Sequence, residues 1–293
     1  MDHELTIPSA DGTPLRARVW PGADGAGSLI IAHGFGEHAG CYEHVATQLR
    51  DQTGLGVVAF DFRGHGLSRG ARGVVFAYEE LVADLRGVFD WCGRERPDAP
   101  RFVLGHSNGG QVALRFAEEG PNLAGLVLSN PALRLKATVP AWKVGVGRLL
   151  GRVAPTVTLH APYPHEWMTR DPVMMDSRAR DVLRHERISA RLYFGMVEGG
   201  ARLIADAGRV RAPTLLLVGE DDPLIDPAGS RALHRGLGCA DKTLRVYLES
   251  RHEPLNDLDR ARVLDDVARW LRERLERSTA TVPHLIDAPA RHG

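Results

Sequence analysis

A serine in a glycine-flanked turn is the residue of this sequence with the strongest setting for chemistry. Ser107 lies in G-H-S-N-G, residues 105–109, which follows the apolar run F-V-L and precedes the helical pattern Q-V-A-L-R-F-A. Between a buried strand and a helix, G-x-S-x-G is typical of a nucleophile elbow, a sharp turn that exposes the serine Oγ at the edge of a sheet. We therefore predict that Ser107 is the nucleophile of an acyl transfer.

A serine hydroxyl needs a base, and the base needs a carboxylate to orient it. Where an elbow supplies the serine, the acid and then the histidine follow it along the chain. The apolar run at 214–218 leads directly into G-E-D-D-P-L-I-D, residues 219–226. These residues leave Asp222, Asp221 and Asp226 open as the acid, in that order of preference.

The predicted base follows the last predicted strand of the chain, at 244–248. His252 is the single histidine of the loop E-S-R-H-E-P that comes after this run. His234 falls within a helical pattern, and His284 and His292 lie close to the C-terminus. The position of His252 therefore predicts the general base.

An acyl-transfer intermediate also needs hydrogen-bond donors for its oxyanion. The backbone N–H of Asn108, directly after the nucleophile, is one expected donor. The run at 28–32 is followed by H-G-F-G-E-H, a glycine-rich loop in which the backbone N–H of Phe35 is the expected second donor.

Neither a metal nor an organic cofactor is predicted. The spacing Gly34-x-Gly36-x-x-x-Gly40 is one residue too long for a dinucleotide fingerprint. The nearby histidines lack the H-E-x-x-H pattern of a zinc enzyme, so we expect them to bond backbone groups around the loop. The segment D-F-R-G-H-G-L-S, residues 61–68, is interpreted as scaffold. The histidines near the glycine-rich loop are His33, His38 and His44; His65 belongs to the scaffold segment, and no direct catalytic role is predicted for it.

Apolar runs alternate with helical patterns along most of the chain and place these residues at strand ends. Continuous runs such as L-I-I-A and L-L-L-V are typical of strands that are covered on both faces. The repetition predicts an α/β fold with a mostly parallel sheet. The predicted strands are 15–20, 28–32, 57–60, 102–105, 125–129, 214–218 and 244–248, and helical patterns cover 79–94, 111–119 and 257–275.

The alternation stops between residues 131 and 211, where six prolines punctuate the chain. We predict a helical cap inserted at 131–211, a core formed by 1–130 and 212–277, and a loosely held tail at 278–293. Within the cap, apolar residues recur at helical spacing beside basic ones. Covering the core is the favoured interpretation of this helix, and contact with a membrane surface is the alternative. Its apolar residues are Trp142, Val146, Leu149, Leu150 and Val153.

Composition narrows the class of protein. The 37 basic and 37 acidic side chains balance, which argues against nucleic-acid binding. No run of 18 apolar residues is present, and the N-terminal sequence does not resemble a secretory signal. Cys41, Cys92 and Cys239 are widely spaced, so we expect free thiols and a cytoplasmic location.

Seven motifs between residues 33 and 253 carry a family resemblance that covers roughly residues 28–271. They are H-G-F-G-E-H-A-G-C-Y, D-F-R-G-H-G-L-S-R-G, G-H-S-N-G-G, L-S-N-P-A-L, M-T-R-D-P, L-L-L-V-G-E-D-D-P-L-I-D and Y-L-E-S-R-H-E. Together they resemble the monoacylglycerol lipase and lysophospholipase family of α/β-hydrolases. The resemblance implies an eight-stranded sheet with helices on both faces and an inserted cap that forms an acyl channel and touches lipid surfaces. It assigns the nucleophile to Ser107, the acid to Asp222, the base to His252, and the oxyanion donors to the backbone of Phe35 and Asn108. The family usually has methionine where this chain has Asn108, which bears on substrate preference.

We therefore predict a serine ester hydrolase that cleaves monoacylglycerol-like lipid esters, at times in contact with a membrane surface through its cap. A lysophospholipase, a general carboxylesterase and an aminopeptidase-like hydrolase remain alternatives. An acyltransferase would use the same residues, with an alcohol in place of water. A non-catalytic binding protein is disfavoured, because serine, acid, base and oxyanion loop are all present.

Overall fold

An eight-stranded sheet forms the centre of the computed structural model, which describes residues 2–137 and 139–280, without the side chains of 278–280. The strand order is β1-β2-β4-β3-β5-β6-β9-β10, and all neighbours are parallel except β1–β2 and β2–β4. The mostly parallel α/β fold predicted from the sequence is confirmed. The strands are β1 (His3–Pro8), β2 (Pro14–Trp20), β3 (Ser28–Ala32), β4 (Gly56–Phe60), β5 (Arg101–His106), β6 (Gly125–Ser129), β9 (Thr214–Gly219) and β10 (Lys242–Tyr247), while β7 (Thr158–His160) and β8 (Arg187–Ser189) form a separate antiparallel pair.

Helices cover both faces of this sheet, which explains why β3, β4, β5, β6 and β9 are almost continuously apolar. The helices are α1 (Glu43–Thr53), α2 (Glu79–Glu95), α3 (Asn108–Glu118), α4 (Ala141–Val153), α5 (Pro172–Arg180), α6 (Ala190–Ala205), α7 (Pro227–Gly236) and α8 (Arg260–Ala280). One core joins the sheet to α1 and α8 through residues such as Leu49 and Val267. The other joins it to α2, α3 and α7 through residues such as Leu85, Val112 and Leu233.

The chain between β6 and β9 adds no strand to the main sheet. It holds α4, α5 and α6, as a helical insertion requires, but it also holds the β7–β8 pair. The predicted helical insertion therefore also contains one short antiparallel strand pair, which the sequence analysis did not include. Each of the two strands has only three residues, which is too short for an alternating pattern to stand out in the sequence.

The sequence favoured α4 as a helix that covers the core with its large apolar side chains. This interpretation was wrong, because most of those side chains are exposed. Trp142 is 68% exposed and Leu149 is 59% exposed, and Val146 and Val153 are exposed beside them. The inward face instead carries small residues, and a Cβ at Gly147 would lie 3.1 Å from the ring of Phe194 on α6. Helices α4 and α6 can approach closely only where α4 carries small side chains, so the large apolar side chains of α4 lie on its opposite, exposed face.

The two ends of the chain differ from the expectations in simple ways. The sequence reading missed β1, an edge strand in which only Ile7 is buried, because edge strands lack a continuous apolar run. Helix α8 continues through the predicted core–tail boundary at 277 to Ala280, and the rest of the predicted tail, 281–293, lies outside the described residues.

No helix in the described part of the chain combines the length and the apolar character needed to cross a membrane.

The segment after β4 is held by a buried ion pair. Arg63 donates to both carboxylate oxygens of Asp84 on α2, a side chain with no exposed surface. His65 is buried, and its Nδ1 lies 3.1 Å from the carbonyl oxygen of Arg63. These contacts agree with the interpretation of the segment as scaffold.

Candidate active site

The turn between β5 and α3 holds Ser107 in a backbone conformation that side-chain-bearing residues rarely adopt, with φ 50° and ψ −116°. Hydrogen bonds on both sides maintain it. The Ser107 N–H donates to the carbonyl of Ser129 at 3.0 Å, and its own carbonyl accepts from the N–H of Ala132 at 2.9 Å. Strain maintained in this way is typical of a functional position, and it turns the Ser107 side chain out of the sheet.

The structure brings the predicted serine, acid and base together. His252 Nε2 lies 2.9 Å from Ser107 Oγ, and His252 Nδ1 lies 2.7 Å from Asp222 Oδ2. The three residues come from loops after β5, β9 and β10, whose carboxyl ends share one edge of the sheet. With Nδ1–H donated to the carboxylate, the Nε2 lone pair faces the serine hydroxyl, as a general base requires.

The other acids of the Asp222 loop are placed differently. The second oxygen of Asp222 accepts from the N–H groups of Leu224 and Ile225 at 2.8 and 3.0 Å, so its carboxylate is fully oriented. Asp221 has a side chain that is 67% exposed. Asp226 caps α7 by accepting from the N–H of Ala228. Neither alternative acid bonds to His252.

The surroundings of His252 favour its protonated form. Burial by itself lowers the pKa of His252, but the charge and hydrogen bond of Asp222 outweigh it, with smaller contributions from Glu253 and Glu37. The pKa therefore lies above its ordinary value of 6.5. A base with a raised pKa holds the imidazolium that forms when the serine proton is transferred.

The two expected oxyanion donors are free to act. No hydrogen-bond acceptor for the backbone N–H of Phe35 or of Asn108 is found among the described residues. Phe35 lines the same cavity as Ser107, and Asn108 opens α3 directly after it. Around this loop His33, His38 and His44 each make at least one hydrogen bond to a backbone group, as expected from the sequence.

The side chain of Asn108 is turned away from the cavity. Its Oδ1 accepts from the hydroxyl of Tyr78 at 2.6 Å, and both residues are buried. The sequence reading did not identify Tyr78, because nothing in its spacing connects it to the elbow. Asn108, which stands where the family resemblance implies a methionine, therefore lies behind the cavity and not on its surface.

A cavity of about 170 Å³ opens above Ser107 and His252. Most of its wall is apolar, and a large part comes from the chain between β6 and β9. That part includes Leu135, Ala161, Met168, Ile188, Tyr193 and Met196. Such a wall suits the acyl chain of an ester, because it removes apolar surface from water.

Three charged residues, Glu37, Arg178 and Glu253, line the cavity, and Arg184 pairs with Glu37 beside it; we call these four residues the charged cluster. Arg178 donates to Glu253 at 2.5 Å, and Arg184 donates to Glu37 at 3.2 Å. Burial by itself raises the pKa of Glu37, but the charges of Arg184, His106 and Arg178 hold it well below its usual range. The sequence reading missed this cluster, because its arginines lie in a segment with no recognisable motif for them.

Two groups of metal-type donors occur in the described part of the chain, and both are already engaged. Glu37, His106 and Glu253 form one group, which includes both acids of the charged cluster. In the other, with Cys41, His38 accepts at Nδ1 from the N–H of Gly40 and bonds through Nε2 to Asp181. Because Nδ1 is an acceptor there, Nε2 carries the proton and has no lone pair for a metal.

Comparisons with known proteins agree with this architecture. A profile of the serine aminopeptidase S33 family matches residues 24–259. A monoacylglycerol lipase of Mycolicibacterium smegmatis is 35% identical over 92% of this chain and 96% of its own length. The human monoglyceride lipase is 32% identical over 91% of this chain and 89% of its own length.

A solved structure gives the same result at the level of the fold. The crystal structure of Paleococcus ferrophilus monoacylglycerol lipase superposes with a TM-score of 0.81 and 32% identity, covering 89% of this chain and 99% of that one. With the profile match and the relatives above, this places the chain in a known group of enzymes. It belongs to the serine aminopeptidase S33 family of α/β-hydrolases, among the relatives of the monoacylglycerol lipases.

Proposed function

We propose that this protein is a serine ester hydrolase that cleaves monoacylglycerol-like lipid esters. The observation that carries the proposal is the continuous relay from Ser107 Oγ through His252 to Asp222, with distances of 2.9 and 2.7 Å. Its setting at the base of a largely apolar cavity supports an ester with a long hydrocarbon part. The monoacylglycerol lipases among its relatives favour the same substrate class.

The relay supplies each proton transfer of an acyl-enzyme mechanism. Ser107 Oγ attacks the ester carbonyl carbon while His252 Nε2 takes its proton, and Asp222 stabilises the imidazolium. The negative oxygen of the intermediate accepts from the N–H groups of Phe35 and Asn108. His252 then gives the proton to the departing alcohol, and a water molecule activated by the same imidazole releases the fatty acid.

The charged cluster favours a neutral polyol as the alcohol part of the substrate. Its two carboxylates and two guanidinium groups balance, so a headgroup with its own charge would disturb paired ions in a buried setting. A polyol hydroxyl can both donate to a carboxylate and accept from a guanidinium. This favours monoacylglycerols over lysophospholipids.

The residues between 131 and 211 act as a cap in this proposal, with 1–130 and 212–277 as the core. The cap contributes the apolar wall above Ser107, and its outer surface carries the exposed face of α4. That face combines Trp142, Val146, Leu149 and Val153 with the nearby Lys143 and Arg152. An apolar stripe beside basic groups suits transient contact with a lipid surface, from which the substrate would enter.

Fatty-acid release from a chain-length series of monoacylglycerols tests the proposal, with Ser107→Ala as the blank. We expect release that depends on Ser107 and is greatest with medium or long chains. Release confined to short water-soluble esters would reduce the proposal to a general carboxylesterase. Lysophospholipids cleaved as fast as monoacylglycerols would contradict the headgroup preference, and absence of release from every ester would contradict the proposal as a whole.

The same assay with an added alcohol acceptor separates hydrolysis from acyl transfer. We expect free fatty acid as the main product at all acceptor concentrations. A new ester that replaces the fatty acid as the acceptor increases would identify an acyltransferase instead.

A further inference from the structure

Arg178 on α5 is a buried cation at the junction of cap and core. Its side chain is 7% exposed. Nη1 donates to Glu253 Oε1 at 2.5 Å, and Nη2 donates to the hydroxyl oxygen of Tyr163 at 2.6 Å. The guanidinium also lies 5.0 Å from the centre of the Tyr163 ring. One side chain of the cap therefore has two strong and separate partners.

Each partner of Arg178 leads to a different half of the catalytic machinery. Glu253 directly follows His252, and the backbone N–H of Glu253 donates to the carbonyl of Met168 in the cap at 2.8 Å. Tyr163 donates its hydroxyl hydrogen to the carbonyl oxygen of Phe35 at 3.4 Å. The guanidinium thus joins the loop of the base to the loop of the oxyanion donor.

We propose that Arg178 is a positioning residue that holds the His252 loop and the Phe35 loop in register with each other when the cap is docked. The inference rests on the proposed function, since it assigns a part in the same reaction. It goes further in giving the cap a share in assembling the site, beyond forming a wall for the acyl chain.

The chemistry of arginine suits this role. A guanidinium presents several donors in a fixed planar fork, so it can bond a carboxylate and a hydroxyl at once, whereas a lysine ammonium is a single compact charge. Glu253 has one other side-chain partner, Asn256, which donates to Oε2 at 2.7 Å. Glu37, by contrast, is 3.9 Å from Arg178 and closer to Arg184, so it retains an ion pair without Arg178.

Arg178 also sets part of the charge near the base. Asp222, Glu253 and Glu37 act on His252 as negative charges, and the ring of His106 lies 5.0 Å from the His252 ring. Arg178 and Arg184 offset the two glutamates. Removing the Arg178 charge would leave Glu253 uncompensated and would raise the pKa of His252 further.

Steady-state kinetics over a range of pH, with a short soluble ester as substrate, test the inference. Arg178→Met should lower kcat by about tenfold to a hundredfold with a smaller change in KM, since misplaced catalytic groups reduce turnover on this scale. In the plot of its kcat against pH, the acid limb (the fall in activity as the pH decreases) should move to higher pH than in the parent protein. In Arg178→Lys, the acid limb should return to the pH of the parent protein, because the positive charge is restored. Its kcat should recover only in part, because lysine lacks the planar fork of donors.

Two further variants separate the contact of Arg178 with Tyr163 from its contact with Glu253. Tyr163→Phe removes the contact to Phe35 and should lower kcat without moving the acid limb. Glu253→Gln removes a negative charge and should move the acid limb to lower pH. In Arg178→Met combined with Glu253→Gln, the acid limb should return toward that of the parent protein, a compensation that a general loss of structure would not produce.

Arg180→Met is the matched control, because Arg180 lies two residues away on α5 with a side chain that is 79% exposed. It should behave as the parent protein in kcat, pH dependence and thermal unfolding. If Arg178→Met matched this control, or if the double variant kept the full pH shift of Arg178→Met, the inference would be overturned. Ester turnover by the parent protein, absent in Ser107→Ala, shows in the same experiment whether the proposed function itself holds.

Discussion

At the scale of single residues, backbone amides orient the reacting groups. Asp222 receives two backbone N–H groups on the oxygen that does not face His252, so its carboxylate cannot rotate without breaking them. Lys136, in the segment between β6 and β9, donates to the carbonyl oxygen of Asp222 at 2.5 Å. The orientation of the Asp222 carboxylate is therefore fixed by contacts that do not involve His252. Neither Asp221 nor Asp226 has such contacts facing the imidazole.

Replacing Asp222 by asparagine tests this assignment. An amide that donates to Nδ1 stabilises the wrong imidazole tautomer, so we expect kcat for ester hydrolysis to fall by about 10³-fold to 10⁴-fold. Asp221→Asn is the matched control, since the side chain of Asp221 is 67% exposed and does not contact His252. A large loss in the control with none in Asp222→Asn would transfer the role to Asp221.

The pH dependence of kcat/KM follows from the same residues. His252 accepts a proton only when it is neutral, and its pKa lies above 6.5 because Asp222 and its neighbours outweigh the effect of burial. Activity should therefore fall as the pH decreases through a midpoint above 6.5, and it should be retained at higher pH. The residual activity of Asp222→Asn should have its midpoint at lower pH. A midpoint below pH 6.5 in the parent protein would argue against the relay of Ser107, His252 and Asp222.

At the scale of elements, close approach between backbones decides where glycine is required. A Cβ added at Gly109 would lie 2.1 Å from the carbonyl oxygen of Ala32, because the first turn of α3 crosses directly over β3. Gly145 on α4 has nothing within 4 Å of the same atom. The first glycine is part of the elbow, and the second only weakens an exposed helix.

The two glycines therefore respond to alanine in opposite directions. Gly109→Ala should destabilise the protein by about 3 kcal/mol, since backbone atoms must move to make room. Gly145→Ala should stabilise it by about 0.5–1 kcal/mol through helix propensity. Denaturant unfolding of both variants measures the difference. Equal effects of the two changes would mean that the elbow is looser than its contacts indicate.

At the scale of the whole molecule, the segment between β6 and β9 completes the site. Its carbonyl groups at Trp167 and Met168 accept from the N–H groups of His252 and Glu253, so the loop of the base is bonded to it directly. Its outer helix leaves most of an apolar face exposed. The same segment thus connects the reacting residues with the surface proposed for lipid.

Binding to vesicles tests the surface. Trp142→Ser combined with Leu149→Ser should reduce partition of the protein onto phosphatidylcholine vesicles by about tenfold or more, because two large apolar side chains are lost from the contact. Hydrolysis of a short soluble ester should remain unchanged. Val182→Ser is the control, since Val182 is 91% exposed and lies outside α4. Equal vesicle binding by the double variant and the control would show that the membrane contacts another surface.

Local patterns in the sequence account for the fold and for the position of the predicted site residues. The sequence predicted seven strands of the main sheet. The signal was strongest for the almost continuously apolar runs of β3, β4, β5, β6 and β9, because a strand buried on both faces has little room for polar residues. The Asp222 loop and the His252 loop could be found because each follows a predicted strand. The edge strand β1 and the short strands β7 and β8 lack this signal, which explains why they were missed.

The sequence by itself determined the α/β architecture and the chain order of serine, acid and base, because both depend on local patterns and on parallel strands that end at one edge of the sheet. Only the tertiary structure decided which acid faces His252, which face of α4 is exposed and what surrounds the cavity. Arg178, Tyr163 and Glu253 are distant from Ser107 along the chain and meet only in the folded structure. Their partnership depends on contacts across the fold, which leave no periodic pattern in the sequence.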